Sequence, residues 1–98
     1  TPSTIWFGIF LKNETLVGFG GLIIKNEKAR IKGDFVLPKY RGLGYGHIMN
    51  EFRMNVAKKS NKIKLIEAYS LHPHYYKKLG FTLIGEYAKG VTIVRKKL

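Results

Sequence analysis

Residues 35–46 run Phe35-Val36-Leu37-Pro38-Lys39-Tyr40-Arg41-Gly42-Leu43-Gly44-Tyr45-Gly46, an apolar strand end followed by proline and a basic, glycine-studded turn. Pro38 has no N–H and ends the ladder, and it holds Leu37 in an extended conformation. Glycines at 42, 44 and 46 let the backbone bend tightly and turn its N–H groups toward one point. From Gly46 the pattern becomes helical, so that point lies at the positive end of a helix, where an anion is favoured.

Outward from this turn, Ala29 to Leu37 alternates as a strand, with Ile31, Gly33, Phe35 and Leu37 on one face and Arg30, Lys32, Asp34 and Val36 on the other. Before it lie two strand-length runs. Ile5 to Leu11 is continuously apolar, which predicts cover on both faces, and Leu16 to Ile24 returns antiparallel after the polar turn Lys12 to Glu14. Gly18, Gly20 and Gly21 have the wrong spacing for a dinucleotide loop and are followed by more strand, so they indicate a bulge or a close backbone approach.

After the turn, Ile48, Met49, Phe52 and Val56 form the apolar stripe of a helix that ends near Lys58 to Asn61. Ile63 to Tyr69 is the next strand. A strand, a helix and a strand in succession predict a right-handed parallel crossover, with Val36 and Ile66 as neighbours across it. Ligands sit at the carboxyl ends of such strands, where the glycine turn lies. Pro73 opens a short helix with Tyr75, Tyr76 and Leu79 on its apolar face and Gly80 as its stop. Phe81 to Tyr87 and Val91 to Leu98 close the chain as two strands. The result is one α/β (α+β) domain over residues 1–98, a mixed, mostly antiparallel sheet with one parallel crossover and two main helices.

Composition narrows the classes. Apolar residues make up 45% and aromatics 13%, which argues for a packed core. With no cysteine, thiolate metal sites, thiol nucleophiles and disulfides are excluded. No apolar run approaches membrane-spanning length, and Thr1-Pro2-Ser3 carries no basic region ahead of a hydrophobic one, so no membrane is expected and a cytoplasmic location is the default. The 18 Lys and Arg outnumber 6 Asp and Glu, for a formal net charge of +12. That excess suits an acidic partner: a polyphosphate cofactor, a nucleic acid, an acidic protein surface or an anionic membrane surface, among which charge alone does not choose. Solubility alone also accounts for it. His47, His72 and His74 lack the spacing and partners of a metal site, and none is expected.

Two motifs carry a family resemblance. Arg41, Gly44 and Gly46 match the R-x-x-G-x-G element of the Gcn5-related N-acetyltransferases, and Tyr76-Lys77-Lys78-Leu79-Gly80-Phe81 resembles their Y-x-x-x-G-F segment, in the right order with a helix and strand between. The resemblance implies acetyl-CoA as cofactor, gripped by the amides from Arg41 through Gly42, Leu43, Gly44 and Tyr45 to Gly46. It also implies that the pantetheine arm lies along Phe35, Val36 and Leu37, with the Val36 N–H near the thioester carbonyl. Tyr76 aligns with the tyrosine that protonates the leaving thiolate. Glu67 and Asp34 are the two candidates for general base, Glu67 by alignment and Asp34 because it shares a strand face with Val36.

The implied activity is transfer of an acetyl group from acetyl-CoA to an amine by direct attack. Family members usually carry a strand and one or two helices before the hairpin, and this sequence starts almost directly in it. A stripped-down acceptor side suits a macromolecular acceptor, a protein lysine or amino terminus or a nucleic-acid base amine, or completion by a second subunit in a homodimer. Two further classes fit the same residues: a nucleic-acid-binding module that has lost the chemistry, and a coenzyme A-sensing interaction protein.

Overall fold

The computed structural model describes residues 3–98, which leaves the expectation for Thr1 and Pro2 outside the described residues. Six strands and two helices follow the order β1 (Ser3–Phe10), β2 (Leu16–Lys25), β3 (Lys28–Val36), α1 (Tyr45–Lys59), β4 (Leu65–Ser70), α2 (Pro73–Lys78), β5 (Thr82–Ala88) and β6 (Val91–Lys97). They form one sheet in the order β1-β2-β3-β4-β6-β5, in which only β3 and β4 pair in parallel. This is the mixed, mostly antiparallel α/β architecture expected from the sequence. Among the described residues no helix is long and apolar enough to cross a membrane.

Both helices pack on one face of the sheet. Leu22, Ala29, Ile31 and Ile66 meet Met54 and Ala57 of α1 and Tyr76 of α2, with Phe81 and Val94 completing the core. The opposite face carries side chains with no helix over them. Trp6, Phe19 and Phe35 run across β1, β2 and β3 with ring centroids 6.2 and 5.5 Å apart, and Tyr69 and Tyr87 stack at 4.6 Å across β4 and β5. Lys32 lies over Trp6, Arg41 over Phe35 and Arg30 over Tyr69, each within cation–π range. The continuous apolar run of β1 is therefore not covered on both faces. β1 is an edge strand, with Phe7 packed on Phe52 of α1 while Trp6 and Phe10 stay exposed.

Three expectations are corrected. Ile66 pairs with Ala29, not Val36, because the parallel pairing covers only Lys28↔Leu65, Ala29↔Ile66 and Arg30↔Glu67. Beyond Arg30 the two strands separate. The cause is a bulge: two steps on β2, from Phe19 to Gly21, face three on β3, from Phe35 to Lys32, and Gly33 takes φ +61°. The extra residue also breaks the alternation of β3. Asp34 joins Ile31 on the helix-covered face, while Phe35 turns to the open one. The third correction concerns α1. Ile48 and Phe52 are more than half exposed, and the buried stripe is Met49, Asn50, Arg53, Met54 and Ala57.

Arg53 explains that shift. Its side chain is fully buried, and its guanidinium donates to both oxygens of Asp34, to Asn50 Oδ1 and to the Gly21 carbonyl at 3.1 Å. A Cβ on Gly20 would stand 2.7 Å from Arg53 Nη1. The β2 glycines are thus the close backbone approach read from the sequence, and what approaches is the guanidinium that pins α1 to the bulge.

Candidate active site

Separation of β3 from β4 opens a cleft of about 960 Å³ between the strands. Its wall is formed by Ile31, Gly33 and Asp34 of β3, Gly42 of the turn, Gly46, His47 and Asn50 of α1, Ala68 to Ser70 of β4, and Leu71, His72, Tyr75 and Tyr76 in and before α2. Because Tyr69 belongs to the open face and Tyr76 to the helical face, the cleft reaches both sides of the sheet.

The glycine turn stands at the mouth of this cleft. Pro38 to Tyr40 form one 3-10 turn, and Arg41 Nε donates to Val36 O at 2.7 Å, which closes the loop on the strand end. Gly42 and Gly44 take φ +76° and +89°, and a Cβ on either, or on Gly46, would meet nothing within 4 Å. The first helical hydrogen bond runs from Ile48 N–H to Gly44 O at 3.1 Å, so the amides just before Ile48 have no acceptor within the helix. Amides without a helical acceptor, left-handed glycines and open space are the features that favour an anion at a helix start. Leu43 is exposed at the tip, and Tyr45 packs edge-on to Tyr40.

Of the strand residues expected along a bound arm, Leu37 donates its N–H to Val17 O at 2.8 Å. By the alternation of an antiparallel pair, the Val36 N–H and C=O point the other way, into the gap vacated by β4. Phe35 belongs to the open face, against Phe19.

Tyr76 lies in the cleft wall with 6% of its surface exposed, its ring edge-on to Phe81 and to Tyr75. Burial pushes its pKa up to about 12, helped by the negative charge of Asp34. The phenol therefore keeps its proton throughout the neutral range. Asp34 also lines the cleft, but Arg53 engages both of its carboxylate oxygens. Glu67 is not brought to the cleft. It lies on the same open face of β4 as Tyr69 but outside the cleft lining, where Arg95 bonds it at 2.5 and 2.8 Å and Lys28 at 3.2 Å.

Burial alone would raise the pKa of Glu67, but hydrogen bonds from Arg95 and Lys28 outweigh it and hold the carboxyl below its ordinary value of 4.5. A depressed carboxylate stabilises the fold above its unfolded pKa, and that stability is lost as pH falls through the folded one. The melting temperature is expected to drop on acidification below about pH 4.5, and Glu67→Gln should flatten that acid limb in thermal melts. An unchanged acid limb in the variant would show that Glu67 is not its source.

Sequence reasoning passed over Asn50 and Arg53, polar positions within a helix read for its apolar stripe. It placed Tyr75 only on an apolar helix face and weighed His47 only as a metal ligand, because the two meet only in three dimensions, at 3.0 Å between Oη and Nδ1. Among the described residues no three His, Cys, Asp or Glu side chains converge as a metal site would need.

Residues 3–83 match a family model described as an acetyltransferase (GNAT) domain. Among solved structures the fold is similar to an acetyltransferase from Bacillus cereus ATCC 14579, with a TM-score of 0.83 and 21% identity, over 99% of this chain and 74% of that one. It is also similar to the PaiA N-acetyltransferase of Thermoplasma acidophilum in complex with coenzyme A, with a TM-score of 0.80 and 25% identity, over 97% and 61%. A putative N-acetyltransferase from Lactobacillus plantarum aligns at a TM-score of 0.83 and 18% identity, over 95% and 68%. No curated protein shows a significant sequence match.

Proposed function

The chain belongs to the GNAT acetyltransferase family, and from that premise we propose that it transfers an acetyl group from acetyl-CoA to an amine on an acidic macromolecule. The observation that carries the transfer reading is the pairing of an open amide cradle with a cleft that holds a proton-bearing tyrosine. Acetyl-CoA, when bound, supplies an activated thioester carbonyl. The Arg41 N–H is taken by Pro38 O at 3.3 Å, so the amides from Gly42 to Gly46 would hold its diphosphate, and the Val36 N–H would serve as a fixed donor toward the carbonyl oxygen. Tyr76 holds the proton that the leaving sulfur needs.

The macromolecular acceptor is supported by charge and by shape. A net charge of +12 attracts acidic surfaces. The helix-free face, onto which the cleft opens beside Tyr69, is broad and carries Arg30, Lys32 and Arg41 between its aromatic rings. A pocket for a small amine would be enclosed.

Titration calorimetry with acetyl-CoA tests the premise of the mechanism. Gly44→Val is expected to weaken binding at least about tenfold, because a side chain at φ +89° is strained and its atoms enter the space over the cradle. Circular dichroism of the same protein checks that the fold is retained. Failure of the unmodified chain to bind acetyl-CoA would overturn the enzyme reading.

A further inference from the structure

We propose that Glu51, His47 and Tyr75 form a proton relay that carries the proton released by acetyl transfer out of the cleft. The relay rests on the transfer reading above and adds the base that neither Asp34 nor Glu67 supplies, the first being clamped by Arg53 and the second held by Arg95 and Lys28 outside the cleft lining.

The hydrogen bonds assign their own direction. Asn50 Nδ2 can only donate, and it reaches Tyr75 Oη at 3.1 Å. The phenol's proton is then free for His47 Nδ1, 3.0 Å away. The other ring nitrogen, Nε2, stands 2.7 Å from Glu51 Oε1 and carries the N–H. This is a carboxylate, an imidazole and a hydroxyl in series, with the bare imidazole nitrogen turned toward the cleft, the order that makes a hydroxyl able to accept a proton as it gives one up. His47, Asn50 and Tyr75 all line the cleft. The solvent end is open, since the side chains of His47 and Glu51 are 46% and 61% exposed.

The chemistry needs such an exit. When an ammonium becomes an amide, the C–N bond forms, the C–S bond breaks, and the nitrogen loses two protons. One ends on the thiol and the other must leave. As a proton from the nitrogen reaches Tyr75 Oη through water in the cleft, the phenol's own proton passes to His47 Nδ1. The carboxylate of Glu51 holds the resulting imidazolium, which then yields a proton to solvent and restores the neutral ring. Tyr76, whose phenol stays protonated, keeps the acid role. The other ionisable side chains that line the cleft with His47 and Tyr75 are Tyr69 of β4, His72 and Tyr76 on the α2 side, and Asp34 of β3, whose charge is met by Arg53.

Wild type, His47→Gln and Tyr75→Phe test the relay. In nitrogen NMR of the imidazoles, His47 is expected as the Nε2–H tautomer. Tyr75→Phe should shift its Nδ1 resonance by removing the donor. An Nδ1 signal that ignores the phenol overturns the relay without any turnover being measured.

For turnover, the probe is an acidic peptide with one free amino group, and free thiol is followed across the neutral range. His47→Gln is expected to lose about a hundredfold in turnover at neutral pH and to change the shape of the pH–rate profile relative to wild type. Acetyl-CoA affinity, measured alongside, is expected to stay within about threefold, since the relay moves protons and does not grip the coenzyme. A wild-type pH profile in His47→Gln overturns the relay and leaves the transfer reading intact, and an equal loss of affinity and turnover overturns it by assigning His47 to binding. No thiol release by wild type also overturns the relay, and if acetyl-CoA fails to bind as well, the transfer reading falls with it.

Discussion

Asp34→Ala is expected to lower the free energy of unfolding by about 1.5–3 kcal/mol, the cost of losing hydrogen bonds to a charged group, because it leaves the buried Arg53 guanidinium without its carboxylate. The 40% exposure of the Asp34 side chain lets cleft water take part of its place. Arg53 has no exposed surface, and the bonds that would remain, to Gly21 O and Asn50 Oδ1, are to neutral acceptors. Against a typical stability of about 5–15 kcal/mol for a domain, this is a large fraction. Urea denaturation measures it. Replacing both partners, Arg53→Met with Asp34→Ala, should recover much of the loss, since two neutral side chains leave no charge to desolvate, and the double-mutant cycle should be strongly non-additive. A cost below about 1 kcal/mol for Asp34→Ala would mean that water replaces the carboxylate in full and that the pair behaves as a surface ion pair. The same experiment bears on function. An Asp34 variant that loses activity because it unfolds says nothing about proton transfer, so its activity has to be read at a temperature where it is folded.

The ion pair also marks where the sequence stopped being legible. Hairpins, crossover and anion turn are announced by local chemistry: Pro38 after an apolar strand, glycines where φ is positive, Pro73 before and Gly80 after a short helix. Each of those signals acts over a few residues and keeps its meaning in any fold. Burial of Arg53 and Asn50 has no such signal. An apolar count on α1 favours Ile48 and Phe52 over the true stripe, because the side that faces the sheet is chosen by a carboxylate 19 residues earlier in the chain. Gly33 is a second case. The bulge there adds one residue to β3, so strict alternation assigns Asp34 to the wrong face relative to Ile31.

Glu67 shows the same limit from the catalytic side. Its place in the strand before Tyr76 makes it a candidate base, but its direction depends on the parity of β4, and Ile66 and Ala68 occupy the cored face. The carboxylate is therefore turned to Arg95 and Lys28. The bulge, the clamped Asp34 and the splayed β4 belong together: the pairing that stops at Arg30 is what creates a cleft, and Arg53 holds the bulged strand in place beside it.

Tyr76→Phe should lower turnover by about a hundredfold to ten-thousandfold while leaving acetyl-CoA affinity and stability close to wild type. The substitution removes one oxygen and keeps the ring, so the edge-on contacts with Tyr75 and Phe81, both at 5.1 Å, survive. The large kinetic effect follows from the state of the proton. With a pKa of about 12, the phenol keeps its proton in the free protein, so its O–H is a fixed hydrogen-bond donor to the negative charge that develops on the departing sulfur. It therefore contributes at the transition state and not to ground-state binding, which predicts a fall in kcat with little change in the coenzyme dissociation constant. Thiol release from acetyl-CoA with the acidic peptide probe, beside calorimetry on the same protein, separates the two quantities. If turnover stays within about threefold of wild type, Tyr76 is a core aromatic and the acid must be sought elsewhere on the cleft wall. Tyr75 is then the next candidate, because its hydroxyl is already tied to an imidazole that can replace the proton it gives.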